Sequence, residues 1–186
     1  MRCVGADQDG TGTLAFNAVS ALPNNTVFSN SSAAWIGSTA RSLCQDFYNK
    51  CSAKNAIKTV KKGTCPNTNS SRNDSVTYNN ETVFLLSERE YGLDAYSPIS
   101  TANSTTSKAE CTQGYNAAYS YFTDNSKRVM YRGDANGNPT SNYAYQWERS
   151  RYYNYSYYVC LVYTDGSASN DTYRNDIGLA PAFVIG

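Results

Sequence analysis

Between Tyr152 and Asp176 the chain places seven of its 17 tyrosines, with three asparagines, three serines and three aspartates. These residue types suit contact chemistry. A tyrosine offers a large amphipathic face at the entropic cost of two torsions, and Asn, Ser and Asp add adaptable hydrogen bonds. A fully buried cluster would need a partner for every phenol hydroxyl, so Tyr152, Tyr153, Tyr155 and Tyr157 are expected at the surface. Val159, Leu161 and Val162 are expected in the core. Apolar and glycyl pieces frame the segment: Trp147-Glu148-Arg149-Ser150 before it, Asp165-Gly166 inside it, and Ile177-Gly178-Leu179-Ala180-Pro181-Ala182-Phe183 after it. A rigid frame around a polar aromatic insert is how a binding surface is built.

Catalytic chemistry has fewer handles. The chain contains no histidine, which removes Ser-His-Asp and Cys-His nucleophiles, the commonest zinc sites and a physiological-pH switch. Paired carboxylates exist at Glu88 with Glu90 and at Asp165 with Asp171, but the first pair belongs to a helix start. The six cysteines at 3, 44, 51, 65, 111 and 160 include no Cys-x-x-Cys, so a four-thiolate zinc site lacks its usual spacing. Cys44 and Cys160 sit in apolar surroundings and read as small buried hydrophobes, with the thiols mostly free. Asp7-Gln8-Asp9-Gly10-Thr11-Gly12 resembles the opening of a calcium loop, but its twelfth position is Ala18, which cannot supply the bidentate carboxylate. It reads as a hairpin turn. No catalytic residue, metal or cofactor is therefore expected, and the protein is not expected to be an enzyme.

Sixteen basic and fifteen acidic residues leave a formal charge of +1. The nearest basic cluster, Lys54, Lys58, Lys61 and Lys62, has the spacing of one face of a short helix and reads as a solvated edge, so nucleic acid is not an expected partner. No apolar run approaches ~18 residues, so no membrane span is expected. Gly5 arrives in mid-pattern, which hints at a natural chain that starts earlier. Arg132-Gly133-Asp134 and the many Asn-x-Ser/Thr sequons follow from composition.

The elements that must position the segment read as follows. Length suggests one domain over 1–186, with a hairpin and strand region over 1–32. Trp35, Ile36, Ala40, Leu43, Cys44, Phe47 and Cys51 predict a helix over about 33–51, with a short continuation through Ala56, Ile57 and Val60. Residues 63–82 and 97–110 read as loops. Thr82–Leu86 reads as a buried strand that stops at Ser87. Ser87-Glu88-Arg89-Glu90 is a capping box that predicts a short helix to about Leu93. Tyr115, Ala118, Tyr119 and Phe122 allow another helix. Strands are predicted at Tyr143–Arg149, Tyr157–Tyr163 and Ala182–Ile185, with a turn at Thr164-Asp165-Gly166. Helices early and strands late predict an α+β fold of antiparallel sheets and long polar loops.

Trp147-x-Arg149-Ser150, the Asn/Tyr/Ser-rich stretch, Asp165-Gly166 and Gly178-Leu179-Ala180-Pro181-Ala182 resemble the variable region of diversity-generating retroelement proteins. Upstream, Val83-Phe84-Leu85-Leu86-Ser87-Glu88-Arg89-Glu90 and the Trp35, Leu43, Phe47-Tyr48-Asn49 helix resemble a domain of uncharacterised function from gut-bacterial surface proteins and their phages. The likeness covers about residues 33–186 and is strongest in the last 40. Glu148 stands where that pattern has Leu, Arg151 where it has Pro, and Ala180 where it has Arg.

The resemblance implies a single C-type-lectin-like domain, related in architecture to formylglycine-generating enzymes, with a variable ligand-binding region over 147–182. It implies adenine-directed diversification at Tyr152, Tyr153, Asn154, Tyr155, Tyr157, Tyr158, Tyr163, Ser169, Asn170, Asp171, Tyr173 and Asn175. Trp147, Arg149, Gly166, Gly178 and Pro181 would be scaffold. The implied function is recognition of a protein or glycan on another cell, from a phage tail or fibre tip or a bacterial surface, with homo-oligomerisation left open. The alternatives are an enzyme related to formylglycine-generating oxidases and a structural virion or cell-wall module.

Overall fold

A computed structural model of the chain describes residues 1–7, 13–23, 25–64, 77–93, 118–152 and 155–186. Both ends of the chain meet in one five-stranded sheet. β1 (Arg2–Ala6) pairs antiparallel with β2 (Leu14–Asn17), and β2 pairs with β12 (Ala182–Ile185). The opposite edge of β12 is shared by β3 (Ile57–Lys58) and β6 (Val83–Phe84). Period-2 alternation turns Ala15 and Val184 into the core. Their neighbours Phe16 and Phe183, paired across the strands, stack at 5.9 Å.

Helix α1 (Thr39–Lys50) covers this sheet at β6. Its N-cap is Ser38, whose Oγ accepts from the Arg41 amide at 3.0 Å. Ala40 and Cys44 are fully buried one turn apart, with Leu43 and Phe47 packed against the same core. The helix begins later than the periodicity of 33–51 suggested, because Trp35 is placed by a side-chain bond and not by helical register. Its Nε1 donates to Glu81 at 2.9 Å, and Arg41 pairs with the same carboxylate at 3.0 Å. Ile36, expected on the apolar face, is exposed.

Among the described residues there are three smaller sheets. β4 (Val60–Thr64) pairs with β5 (Thr77–Glu81), and β7 (Met130–Gly133) with β8 (Pro139–Ala144). β9 (Gln146–Arg151), β10 (Tyr158–Val162) and β11 (Ala168–Thr172) form the third, with β10 central. A second short helix, α2 (Asn125–Arg128), precedes β7. About 40% of the described residues are strand and 13% helix. The expected α+β, C-type-lectin-like organisation with early helices is therefore not what forms; the described chain is mostly β, in several small antiparallel sheets. Among the described residues no helix is long and apolar enough to cross a membrane.

The difference comes from periodicities that tertiary structure overrides. Residues expected to continue the helix form only a 3-10 turn at Lys54–Ala56 and then β3 and β4. Thr77–Glu81, read as loop, is a strand because its main chain pairs residue for residue with β4. The capping box does close: the Ser87 amide donates to Glu90 Oε2 at 2.8 Å and the Glu90 amide to Ser87 Oγ at 3.2 Å. Yet it stops after one turn, since Gly92 takes a positive φ of 70°. Tyr119 to Phe122 form a turn in place of a helix, and Tyr115 lies outside the described residues. Asp134 of the Arg-Gly-Asp tripeptide accepts from the amides of Asn136 and Asn138 at 2.8 Å each, which makes it a hairpin turn.

The sheets are joined by charge as well as by apolar packing. The Glu90 carboxylate, fully buried, meets Lys62 of β4 at 3.1 Å and also pairs with Arg149 of β9. Lys62 in turn pairs with Asp7 at 2.9 Å and donates to the Tyr119 hydroxyl, which donates to Asp7 at 2.7 Å. Arg149 also donates to the carbonyls of Leu85 at 2.6 Å and Gly63 at 3.2 Å. Lys62, expected on a solvated helix edge, is therefore the most buried of the four lysines.

Burial by itself pushes the Glu90 carboxyl up, but the Arg149 and Lys62 cations and the Ser87 amide outweigh it and hold it below its ordinary 4.5. A depressed folded-state pKa contributes stability that is present above the unfolded value and is lost as pH falls through the folded one. Glu90→Gln is expected to cost ~3–5 kcal/mol, because it leaves buried Arg149 short of its counter-charge. Denaturant titrations should show that loss at pH 7. In the wild type, stability should fall as pH drops below 4.5, with a shallower fall in the variant.

Candidate functional site

The expected contact segment is mounted on the β9–β10–β11 sheet. All six residues of β9 are buried. Trp147 sets its edge against Phe28 at 5.8 Å and donates from Nε1 to the Thr26 carbonyl at 3.1 Å. The apolar run Val159–Val162 is buried on both faces of the central strand. β11 is sequence-poor as a strand, being Ala-Ser-Asn-Asp-Thr, and holds its place through the ladder to β10. The register sets Leu161 opposite Ser169 and Val159 opposite Asp171.

The turn between β10 and β11 is fixed from outside the sheet. The Gly166 amide donates to the Tyr163 carbonyl at 3.0 Å, and Asp165 Oδ1 accepts from the Ser167 amide at 2.9 Å and its hydroxyl at 2.6 Å. Those bonds hold the Asp165 carboxyl below its ordinary range. Gly166 has a φ of 83°, and a Cβ there would sit 1.9 Å from the Asn125 carbonyl oxygen. Only glycine meets both demands. The other expected scaffold positions, Trp147, Arg149, Gly178 and Pro181, are buried as well.

At this end of the sheet lies a cleft of about 470 Å³, lined by Tyr145, Leu161, Tyr163, Ser169, Asn170, Asp171, Asn175, Asp176 and Ile177. Tyr145 and Tyr163 pack edge to face at 4.6 Å and remain 40% and 41% exposed. Their hydroxyls are hydrogen-bonded to each other, which raises the Tyr145 phenol above its ordinary range. Asp171 Oδ1 accepts from the Thr172 amide and from Asn175 Nδ2, both at 2.7 Å, so Asn175 is oriented by Asp171. Among the described residues, two carboxylates and no Lys or Arg line the cleft.

A second cluster stands at the opposite end of β10, ~16 Å away by strand rise. Tyr152 and Tyr155 stack at 6.1 Å and 7°, Tyr155 and Tyr157 lie 5.7 Å apart, and Tyr157 and Tyr158 4.9 Å apart. Tyr155 and Tyr157 are exposed, while Tyr152 and Tyr158 are half-buried. The twelve expected contact residues thus divide. Tyr163, Ser169, Asn170, Asp171 and Asn175 line the cleft. Tyr152, Tyr155, Tyr157 and Tyr158 form the ring cluster, and Tyr173 packs against the main core. Tyr153 and Asn154 lie outside the described residues.

Sequence reasoning missed Tyr145, which precedes the segment in a predicted strand, and Asp176, the last residue of the segment, which was not among the expected contact positions. It also missed Glu88, Glu148 and Cys160, whose donor atoms all lie within 4.8 Å of one another in the core. The available signal was an acidic residue at Glu148 in a strand whose neighbours are framework. A further cleft of about 490 Å³ between α1 and the Leu22–Thr26 loop is mainly apolar and contains none of the expected residues.

The division between frame and surface has a measurable consequence. Trp147→Ala is expected to cost ~3–5 kcal/mol, as a large fully buried ring. Tyr155→Ala and Tyr157→Ala each lose only a part-exposed ring contact and are expected to cost less than ~1.5 kcal/mol. Chemical denaturation of the three variants tests the contrast.

Residues 17–186 match a family described as a domain of unknown function, DUF6273. No curated protein and no solved structure matches the chain. With all but its first 16 residues inside the match, the chain belongs to the DUF6273 family.

Proposed function

We propose that the protein is a ligand-binding module, and that the cleft at Tyr145 and Tyr163 receives a group presented by a protein or glycan on another cell. The observation that carries the reading is convergence. Five residues singled out as contact residues from the sequence line one cleft whose mouth is two exposed tyrosines. Its volume lies in the range of sites that enclose a small ligand or one protruding group, ~300–1,000 Å³. The ring pair supplies a flat apolar face. Ser169, Asn170 and Asn175 supply donors and acceptors that fix register.

Charge narrows the ligand. Asp171 and Asp176, with no lining cation among the described residues, disfavour an anionic group and favour a hydroxyl-rich or basic one. The ring cluster of Tyr155 and Tyr157 offers a second contact for an extended partner. Such contact work needs no proton shuttle, which fits a chain without histidine.

Fluorescently labelled protein, applied to a panel of intact bacterial strains and to a glycan array, tests the proposal. The wild type is expected to label particular strains or glycans, and Tyr163→Ala combined with Asp171→Asn to lose at least ~10-fold in binding with its melting temperature kept. Equal binding by that variant would remove the cleft from the reading. We also propose that the segment is diversified. The neighbouring DNA is then expected to hold a near-identical copy of the stretch encoding 147–182, differing at adenines and lying beside a reverse transcriptase. Sequencing that flank decides it.

A further inference from the structure

Glu148 is the anomaly of the core. It lies in β9, is fully buried, and neither of its carboxylate oxygens has a hydrogen-bond partner among the described residues. The nearby cations are engaged elsewhere. Arg149 bonds Glu90 and the carbonyls of Leu85 and Gly63, and Arg128 bonds the Tyr91 carbonyl and Asn125. A buried carboxylate with no bond costs several kcal/mol, ~3 or more, so native cores seldom keep one.

Two other donors converge on it. Cys160, from the adjacent strand β10, places Sγ 3.9 Å from Glu88 Oε2, and the three donor atoms of Glu88, Glu148 and Cys160 lie within 4.8 Å of one another. The Glu88 end is held in position by its amide, which donates to Ser150 Oγ at 2.9 Å. Ligands at ~2.0 Å (oxygen) and ~2.3 Å (sulfur) around a tetrahedral ion are ~3.3–3.7 Å apart. The observed spacing, up to 4.8 Å, reaches that by a contraction of at most about 1.5 Å. Burial, then the charge of Glu88, pushes the Glu148 carboxyl well above its ordinary range. A proton on Glu148 would cancel one charge and bridge it to Glu88, but would leave the Cys160 sulfur outside the interaction. A cation bonds all three donors at once.

Cys44 supplies the internal contrast. It is also fully buried and close to a carboxylate, Glu81, but among the described residues no second acid joins them. Burial raises the Cys44 thiol and leaves it a protonated hydrophobe.

We propose that Glu88, Glu148 and Cys160 bind a zinc ion that ties the turn after β6 to strands β9 and β10. One thiolate with two carboxylates suits zinc, whereas calcium and magnesium take oxygen alone. A second carboxylate oxygen or a water fills the fourth position. The role is structural, since the three side chains are enclosed in the core. Binding displaces the protons of Cys160 and Glu148, so affinity rises with pH.

The full chain, produced in zinc-supplemented medium and freed of loose metal by gel filtration, tests this by elemental analysis. The wild type is expected to carry one zinc per chain, and Glu148→Gln and Cys160→Ser to carry ~10-fold less. Refolding the wild type in chelator should lower its melting temperature, and added zinc should restore it. A folded wild type without zinc, whose melting temperature does not rise with zinc, overturns the proposal. So does stoichiometric zinc that persists in both variants, which would place the ion elsewhere. Should the variants not fold, cobalt substitution of the wild type decides: a thiolate charge-transfer band with a tetrahedral spectrum supports the site, and its absence overturns it.

Discussion

The fold depends on the Glu90 carboxylate and the two cations it holds. Lys62 comes from a two-stranded hairpin and Arg149 from a three-stranded sheet, and neither unit pairs with the other through main-chain bonds. A single large sheet fixes its strands by a continuous ladder. Several small ones need another constraint on their relative placement, and here buried ion pairs with main-chain carbonyls supply it. The network also reaches the N-terminal strand, because Asp7 and Tyr119 complete the coordination of Lys62. Replacing all of it by apolar groups could be stable. What it adds is a unique docking of the hairpins, since each partner accepts only one geometry.

Glu90 and Glu148 show opposite uses of a buried carboxyl in one core. Glu90 has a folded pKa below its ordinary value, so its contribution is present at neutral pH and is lost in acid. Glu148 has one above it, so without a cation its contribution is present in acid and is lost as pH rises past 4.5. The difference is geometric: Glu90 faces two cations, while Glu148 faces Glu88 and a thiol. The same strand presents both environments at adjacent residues, Glu148 and Arg149.

Sequence reading recovered elements whose signal is local. Tyr158–Val162 and Ala182–Ile185 are apolar runs bounded by turns, Asp165-Gly166 is a turn in its own chemistry, and Ser87 with Glu90 closes as a capping box. It failed where tertiary pairing decides. Thr77–Glu81 and Ala168–Thr172 are rich in Asn, Asp and Ser, poor strand formers that a neighbouring ladder holds extended. Lys54, Lys58, Lys61 and Lys62 had helical spacing, yet the last is drawn into the core by Asp7 and Glu90. Overcounted helix was the cause of the α+β expectation. For the site, composition marked Tyr163, Ser169 and Asp171 but could not separate them from Tyr155 and Tyr157, because separation along β10 is a property of register.

That register explains how the surface and the frame coexist. Ser169 and Asp171 stand opposite Leu161 and Val159, so each short polar side chain of β11 shares a face with a buried apolar one of β10 and sits at the sheet edge. β11 is secured by main-chain bonds, which are indifferent to side-chain identity. Its turn is secured by Gly166 against Asn125, also through backbone. Among the described residues, the ion pairs that dock the hairpins involve Arg41, Glu81, Lys62, Asp7, Glu90 and Arg149, none of them from β11. Side chains at the cleft can therefore change with little consequence for the core, so long as Gly166 and the β10 apolar run are kept. The polar weakness that hid β11 from sequence reading is the property that leaves its side chains available for contact.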